Sequence, residues 1–427
     1  LDAFLVRGPS RLAGTVRASG AKNAVLPAAA AALLTDEIVV LENVPAVADV
    51  RTMGVLLAGT GVAVTSDGSR LTLRADRVSS TEAPYDLVRT MRASILVLGP
   101  LLSRFGEARV SLPGGCAIGV RPVDLHLSAL EAMGARIAVE NGYIHAHVSR
   151  VSAAAGRLSG AEITFRQPTV TGTENVLFAA ALARGRTVLR NAALEPEVVD
   201  VARLLSRMGA RIEGAGTETI RVDGVERLGG TGGTPHAIIP DRIETGTYLA
   251  AGAMTGGDVT VAGARPGDLT AFLDALRRAG VDVTVSTDSI RARRDGPLRA
   301  TGVRTAPHPG FPTDLQAQFL ALMTQAVGTS RIAETIFENR FLHVAELVRL
   351  GADVRLEGPV AVVRGPSALE GAPVTASDLR ASAALVLAGL AAAGETRVRR
   401  IYHLDRGYSG MDGKLRSIGA SIERIPG

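Results

Sequence analysis

Six segments of the chain resemble one another, and this self-similarity constrains the fold more than any single motif does. Among them are Ala132-Met133-Gly134-Ala135-Arg136-Ile137, Arg207-Met208-Gly209-Ala210-Arg211-Ile212 and Arg349-Leu350-Gly351-Ala352-Asp353-Val354. Each follows a leucine-bearing helical pattern, carries a glycine suited to the left-handed end of a helix, and runs on into the apolar alternation of a strand. The six glycines, Gly61, Gly134, Gly209, Gly280, Gly351 and Gly419, stand 73, 75, 71, 71 and 68 residues apart. The chain therefore reads as six βα-type units. Each unit has a second, far more apolar helix, as in Pro27-Ala28-Ala29-Ala30-Ala31-Ala32-Leu33-Leu34 and Ala383-Ala384-Leu385-Val386-Leu387-Ala388-Gly389-Leu390. A helix that is apolar all round belongs inside a core, which leaves its amphipathic neighbour outside. The expected fold class is α/β: a two-domain inside-out α/β barrel with three units per domain. Gly229-Gly230-Thr231-Gly232-Gly233-Thr234-Pro235 interrupts the pattern after the third unit with the composition of a flexible turn or linker. The expected domains are 22–233, and 1–21 with 234–427, with an active site in the cleft between them.

A length of 427 residues admits two large domains or three ordinary ones. One cysteine excludes an intramolecular disulfide framework and suits a reducing cytoplasm. The longest apolar runs, 24–34 and 381–393, fall short of the roughly 20 residues that cross a bilayer, so no membrane span is expected. The opening Leu-Asp-Ala-Phe-Leu-Val-Arg does not read as a secretory signal. A net charge of only +5, with 3% aromatics and no tryptophan, argues against a nucleic-acid partner, whereas an anionic small substrate fits. Residue order excludes the phosphate loop of nucleotide hydrolases, the dinucleotide-binding glycine fingerprint, the serine nucleophile elbow and the His-Glu-x-x-His zinc motif. His145 and His147 share one face of a strand with no third ligand close in sequence, so no metal is expected.

The apolar helices end at turns marked by Asp36, Gly106, Gly185, Gly256, Gly328 and Gly394. Counting back 14 residues from each lands on Lys22, Arg92, Thr171, Arg242, Asp314 and Arg380, near the helix starts. Equivalent helices that run side by side gather their positive ends and unpaired N–H groups at one place. A cation there is disfavoured unless an anion sits with it, so Lys22, Arg92 and Arg380 point to a phosphate or carboxylate ligand. The plainer alternative is that each long side chain simply reaches solvent.

Cys116 lies in Ser111-Leu112-Pro113-Gly114-Gly115-Cys116-Ala117-Ile118-Gly119-Val120-Arg121, where three glycines rule out regular structure. A lone cysteine is commonly a small buried hydrophobe. In a glycine-rich loop the thiol is exposed, the loop can close over a site, and Arg121 stands near enough to favour thiolate. Asp314 reads equally as a helix cap or as a catalytic carboxylate, and Arg406 as a site residue or as the partner of Asp405.

These segments, taken in order, resemble one family. Gly20-Ala21-Lys22-Asn23, Arg89-Thr90-Met91-Arg92-Ala93-Ser94, Pro113-Gly114-Gly115-Cys116-Ala117-Ile118-Gly119, Arg121-Pro122-Val123-Asp124-Leu125-His126, Phe311-Pro312-Thr313-Asp314, Phe337-Glu338-Asn339-Arg340-Phe341, Asp378-Leu379-Arg380-Ala381-Ser382 and Asp405-Arg406-Gly407-Tyr408 are similar to the UDP-N-acetylglucosamine 1-carboxyvinyltransferases over essentially the whole chain. The resemblance implies the inside-out barrel pair and transfer of enolpyruvyl from phosphoenolpyruvate to the 3-hydroxyl of UDP-N-acetylglucosamine. That is the first committed step of peptidoglycan precursor synthesis, and it implies no cofactor and no metal. It further implies that Lys22, Asn23, Arg92, Arg380 and Arg406 bind phosphoenolpyruvate. Arg92, Arg121, Pro122, Val123, Asp124, Leu125, Asp314 and Ile336 would bind the nucleotide sugar. Catalysis would fall to Lys22, Cys116, Asp314 and Arg406: Asp314 as base on the sugar hydroxyl, Cys116 as proton donor, site of a covalent adduct and target of fosfomycin. The segment from Arg166 to Asn175 differs from the Lys-Val-Ser-Val-Gly pattern of some members, and no diphosphate contact is assigned there. The alternatives are a related transferase of a shikimate or nucleoside-antibiotic pathway, and an inactive regulatory or RNA-binding relative.

Overall fold

The computed structural model describes residues 2–112, 123–148 and 156–426. Cys116, Arg121 and Pro122 lie outside these residues, as do the three glycines of their loop. The chain forms two compact units, one of Leu1–Ser19 with Pro240–Gly427 and the other within 20–239. Each has its own apolar core, one spanning Phe4 to Ile422 and the other Ala21 to Ile239. No helix among the described residues is long and apolar enough to cross a membrane.

Six sheets are present among the described residues, three in each unit, and they repeat one topology. In the second, Glu82–Ala83 runs parallel to Glu107–Ser111, which pairs antiparallel with Tyr143–Val148, itself antiparallel to Ala135–Glu140. The glycines of the self-similar segments stand between the outer helix and the next strand. All six have φ between +91° and +105°, where a Cβ would crowd the backbone.

The inner helices of the 20–239 unit are Lys22–Ala31, Leu98–Phe105 (entered through the 3-10 turn Arg92–Val97) and Val170–Ala181. Those of the other unit are Arg242–Met254, Gln316–Met323 (entered through Thr313–Leu315) and Leu379–Ala391. Their later turns are buried and nearly all apolar, as expected. Their first two turns depart from that expectation, with Glu174, Asn175, Glu244, Thr247, Gln316, Gln318 and Ser382 all buried. Helix starts also leave N–H groups without intrahelical partners, and in three of these helices it is the residue before the first turn that satisfies them. Thr169, Asp241 and Asp378 accept hydrogen bonds from the first amides of their helices. Thr247 and Gln318 converge on the Tyr408 hydroxyl, tying inner helices of the 240–427 unit together at 2.9 and 3.2 Å. At the opposite ends, arginines meet orphan helix carbonyls and tie them to chain that follows a strand: Arg104 Nη1 donates to Leu33 and Thr35 and also to Ala75, and Arg157 Nη2 to Leu182 and also to Val225.

Three sheets are completed by strands remote in sequence. His236–Ala237 adds parallel to Ile38–Glu42, and Ala13–Arg17 adds parallel to Asp258–Ala262. Asp2–Gly8 lies between Gly394–Arg399 and Ser421–Pro426, with Phe4 opposite Val398 and Val6 opposite Ile422. The start of the glycine-rich segment after the third repeat is bonded rather than free. Thr231 N donates to Ile38 O (3.0 Å) and Thr231 Oγ1 accepts from Val40 N (3.1 Å). A Cβ on Gly230 would come within 2.2 Å of Ile38 O, so glycine there permits the close approach. The chain passes from one unit to the other beyond this segment, at Ile239 and Pro240.

Candidate functional site

All six residues found by counting back from the turns stand in the first turn of an inner helix or of the 3-10 turn that enters it. In the 20–239 unit, Lys22 opens its helix and its Nζ donates to Asp49 Oδ2 at 3.2 Å. Asp49 is buried in the first turn of Ala48–Gly59. This carboxylate compensates a cation that the helix dipole would otherwise disfavour. Asn23 follows, half-buried. Arg92 is the first residue of its 3-10 turn.

His126, on the outer helix Asp124–Ala132, links two helix starts. The Gly99 amide donates to Asn175 Oδ1 (2.8 Å), which orients the amide so that Asn175 Nδ2 donates to His126 Nδ1 (3.0 Å). His126 Nε2 therefore carries the proton and donates to Thr171 Oγ1 (3.2 Å). Burial, and then the charge of Arg92, pull this imidazole down to about 4, against a smaller upward pull from Asp124, so it is neutral at pH 7. Asp124 pairs with Arg166 at the exposed helix start. Val123 is buried beside it, and Leu125 packs half-buried on the core.

In the 240–427 unit Asp314 does not cap its helix. Its two oxygens go to different arginines. Arg340 Nη2 donates to Oδ1 (2.6 Å), while Arg380 Nε and Nη2 donate to Oδ2 (3.1 and 2.8 Å). Both arginine side chains are almost wholly buried, so the reading of Arg380 as a solvated surface cation is set aside. Burial alone would raise the Asp314 carboxyl; the charges and hydrogen bonds of Arg380 and Arg340 outweigh it and hold the group well below the ordinary range. Arg380 also lies over the Tyr408 ring at 5.5 Å, and its Nη1 is a buried donor with no hydrogen-bond partner among the described residues. Arg406 closes the 3-10 turn Ile401–Arg406, and its neighbour Asp405 is gripped by Arg424 Nη1 and Nη2 (3.1 and 2.5 Å). Ile336 is half-buried, its amide donating to Glu334 Oε1 at 2.8 Å.

Lys22, Asn23, Arg92, Val123, Asp124 and Leu125 thus belong to one unit, and Asp314, Ile336, Arg380 and Arg406 to the other. Sequence reasoning left Asp49, His126 and Arg340 without a role. Arg340 stood inside the motif Phe337-Glu338-Asn339-Arg340-Phe341, but Asp49 and His126 have partners 27 and 49 residues away, which no local pattern reveals.

Comparison with known proteins agrees with this architecture. The family model of EPSP synthase (3-phosphoshikimate 1-carboxyvinyltransferase) matches residues 6–415. UDP-N-acetylglucosamine 1-carboxyvinyltransferases of Magnetococcus marinus and Anaeromyxobacter sp. are 55% and 56% identical, each alignment covering 100% of both chains. Among solved structures, the enolpyruvyl transferase NikO from Streptomyces tendae superposes with a TM-score of 0.85 at 29% identity, over 100% of this chain and 99% of that one. An EPSP synthase from Acinetobacter baumannii shares the fold at a TM-score of 0.76 and 16% identity, covering 100% of both chains. On these likenesses the chain belongs to the EPSP synthase family and, within it, to the UDP-N-acetylglucosamine 1-carboxyvinyltransferases.

Proposed function

We propose that the protein transfers the enolpyruvyl group of phosphoenolpyruvate to the 3-hydroxyl of UDP-N-acetylglucosamine, releasing phosphate and committing the sugar to peptidoglycan precursors. The observation that carries this reading is 55% identity, end to end, with relatives named for that transfer. The likeness to the enolpyruvyl transferase NikO, at 29% identity, supports the same transfer chemistry.

The reaction needs one acid and one base acting on different partners. A proton adds to the methylene carbon of phosphoenolpyruvate, leaving its neighbour electron-poor. The sugar oxygen bonds to that neighbour as the hydroxyl proton leaves. The methyl group then returns a proton while the carbon–oxygen bond to phosphate breaks, which restores the double bond. Atoms and electrons balance without a redox carrier.

Cys116 is assigned as the first proton donor and as the thiol that fosfomycin alkylates. Asp314 is assigned as the acceptor of the sugar proton: its two salt bridges keep it ionised, as an acceptor must be, while lowering its basicity. Lys22, Asn23, Arg92, Arg380 and Arg406 are assigned to the phosphate and carboxylate of phosphoenolpyruvate. The unpartnered Nη1 of Arg380 supports this for one of them. Arg92, Arg121, Pro122, Val123, Asp124, Leu125, Asp314 and Ile336 are assigned to the nucleotide sugar. A free reactive thiol fits the reducing cytoplasm.

Phosphate release measured with both substrates, and with each omitted in turn, tests the reading. Release is expected only with both, together with a product heavier than UDP-N-acetylglucosamine by one enolpyruvyl group. Turnover with shikimate 3-phosphate and none with the nucleotide sugar would overturn it.

A further inference from the structure

We propose that Arg424 is a positioning residue for Arg406: by occupying the carboxylate of Asp405 it keeps that charge from neutralising the guanidinium next to it in the chain, which is left to an incoming anion. This rests on the assignment of Arg406 to phosphoenolpyruvate.

The motif Asp405-Arg406 leaves open whether the arginine serves a site or pairs with its neighbour, and the structure gives Asp405 another partner. Arg424 Nη1 and Nη2 donate to Asp405 Oδ2 and Oδ1 (3.1 and 2.5 Å), the two-pronged geometry in which a guanidinium holds a carboxylate most firmly. Nη1 also donates to Asp2 Oδ2 (3.0 Å), and the guanidinium lies over the Phe4 ring at 5.1 Å. Its place in the strand Ser421–Pro426 is one where an apolar residue is expected. Alternation puts Arg424 on the same face as Ile422, which is buried. Across the antiparallel pair Ile422 stands opposite Val6 and Arg424 opposite Phe4, both of them buried. An apolar side chain at 424 would simply continue this face over Phe4. Arginine covers the ring as well and brings a cation to the turn that carries Arg406.

The rest of that turn is fixed by other means. Ile401 and Leu404 are buried in the core, and the Tyr408 hydroxyl meets Thr247 and Gln318. Gly407 lies against the residue that opens the helix Leu379–Ala391, since a Cβ at 407 would stand 2.7 Å from Leu379 Cδ2. With the backbone held on both sides of Arg406, the adjustable quantity is the charge around it. A carboxylate without its own cation opposes an anion there, by compensating Arg406 and by repelling the ligand. Asp412, whose charge also reaches Arg424, has Arg416 as a partner at 3.1 Å.

The test measures kinetics with phosphoenolpyruvate varied at saturating nucleotide sugar in wild type, Arg424→Gln, Asp405→Asn, the double variant and Arg406→Ala. Hydrogen exchange is followed on peptides spanning 401–408 in the full-length protein. Arg424→Gln releases Asp405, so it should raise the KM for phosphoenolpyruvate about tenfold, change that for the nucleotide sugar less than about twofold, and speed exchange of the turn. Asp405→Asn removes the grip and the competing charge together, and should leave the KM within about threefold of wild type. Added to Arg424→Gln it should bring the KM back to within about threefold, while the turn still exchanges fast. A turn that is merely loosened gives no such recovery. A double variant as impaired as Arg424→Gln, or an unchanged KM in folded Arg424→Gln, would overturn the proposal. Should Arg424→Gln fail to fold, Arg424→Lys, which keeps the charge but not the two-pronged grip, decides by the same recovery from a smaller rise. An unchanged kcat/KM for phosphoenolpyruvate in Arg406→Ala would remove the assignment of Arg406 itself; a lowered one, without recovery in the double variant, would overturn the role of Arg424 alone.

Discussion

Replacing His126 with glutamine should flatten the acid side of the stability curve of the 20–239 unit. In the folded protein the imidazole titrates at about 4, against an ordinary 6.5, because it is buried and then because Arg92 is near. The unfolded chain therefore binds a proton over a range in which the folded chain does not. The resulting stability is complete above pH 6.5 and is lost as pH falls toward 4. A gap of about 2.5 between the two values corresponds to about 3 kcal/mol in total, of which about 2 kcal/mol is already lost at pH 5. Glu174 acts the other way. Burial, followed by the charges of Glu197 and Glu195, raises its carboxyl, so acidification relieves a cost there. The difference between wild type and His126→Gln isolates the histidine, since Glu174 is common to both. Glutamine can still accept from Asn175 and donate to Thr171, but it does not titrate. Urea-dependent hydrogen exchange on peptides from Val170–Ala181, at pH 7 and pH 5 and corrected for intrinsic rates, reads the stability of this unit directly. Wild type should lose about 2 kcal/mol more than the variant between the two pH values. Equal losses would refute the neutral, doubly bonded state of His126.

Arg380→Ala should raise the KM for phosphoenolpyruvate by roughly 10- to 100-fold, and that for the nucleotide sugar much less, because a charge-assisted anion contact disappears, whereas Arg92→Ala, assigned to both substrates, should raise both. Steady-state kinetics with either substrate varied decides this, and equal losses for both in Arg380→Ala would indicate a folding role. Cys116→Asp should turn over in acid and fade toward neutral pH, as a carboxyl with a reference pKa of roughly 3.9 loses its proton, while Cys116→Ser should be nearly inactive throughout. Intact mass after fosfomycin should show an adduct on wild type and none on Cys116→Asp; unchanged turnover in the serine variant would end the proton-donor role.

Much of the fold was legible because the repeat writes the same backbone constraint six times. The positive φ of Gly209 or Gly351 is a local demand that only glycine meets cheaply, and a local pattern reports it. The helix starts at Lys22, Arg92 and Arg380 were legible for the same reason, each lying a constant distance from a turn. What could not be read was pairing. Asp314 meets Arg340 and Arg380 at separations of 26 and 66 residues, distances set by how three repeats pack and not by spacing within one. Polar residues in the early turns were hidden too. Glu174 and Asn175 sit in a mostly apolar stretch, and only the satisfied bonds to Gly99, Ile95 and His126 explain why Asn175 is tolerated inside. His236–Ala237 is two residues long and has no periodicity to find.

The long-range closure of the sixth sheet has a consequence for synthesis. Arg7 and Glu395, which bond across its paired strands, are 388 residues apart. At about 5–20 residues per second, the strand Asp2–Gly8 leaves the ribosome roughly 20 to 80 seconds before either neighbour exists. The 20–239 unit needs nothing made later than Ile239. It can close on the nascent chain while Phe4 and Val6, buried at the end, still have nothing to cover them. Maturation of the other unit is thus timed by the appearance of Gly394–Arg399 and Ser421–Pro426, and a pause in translation before that point prolongs the exposure of an apolar strand with two open edges.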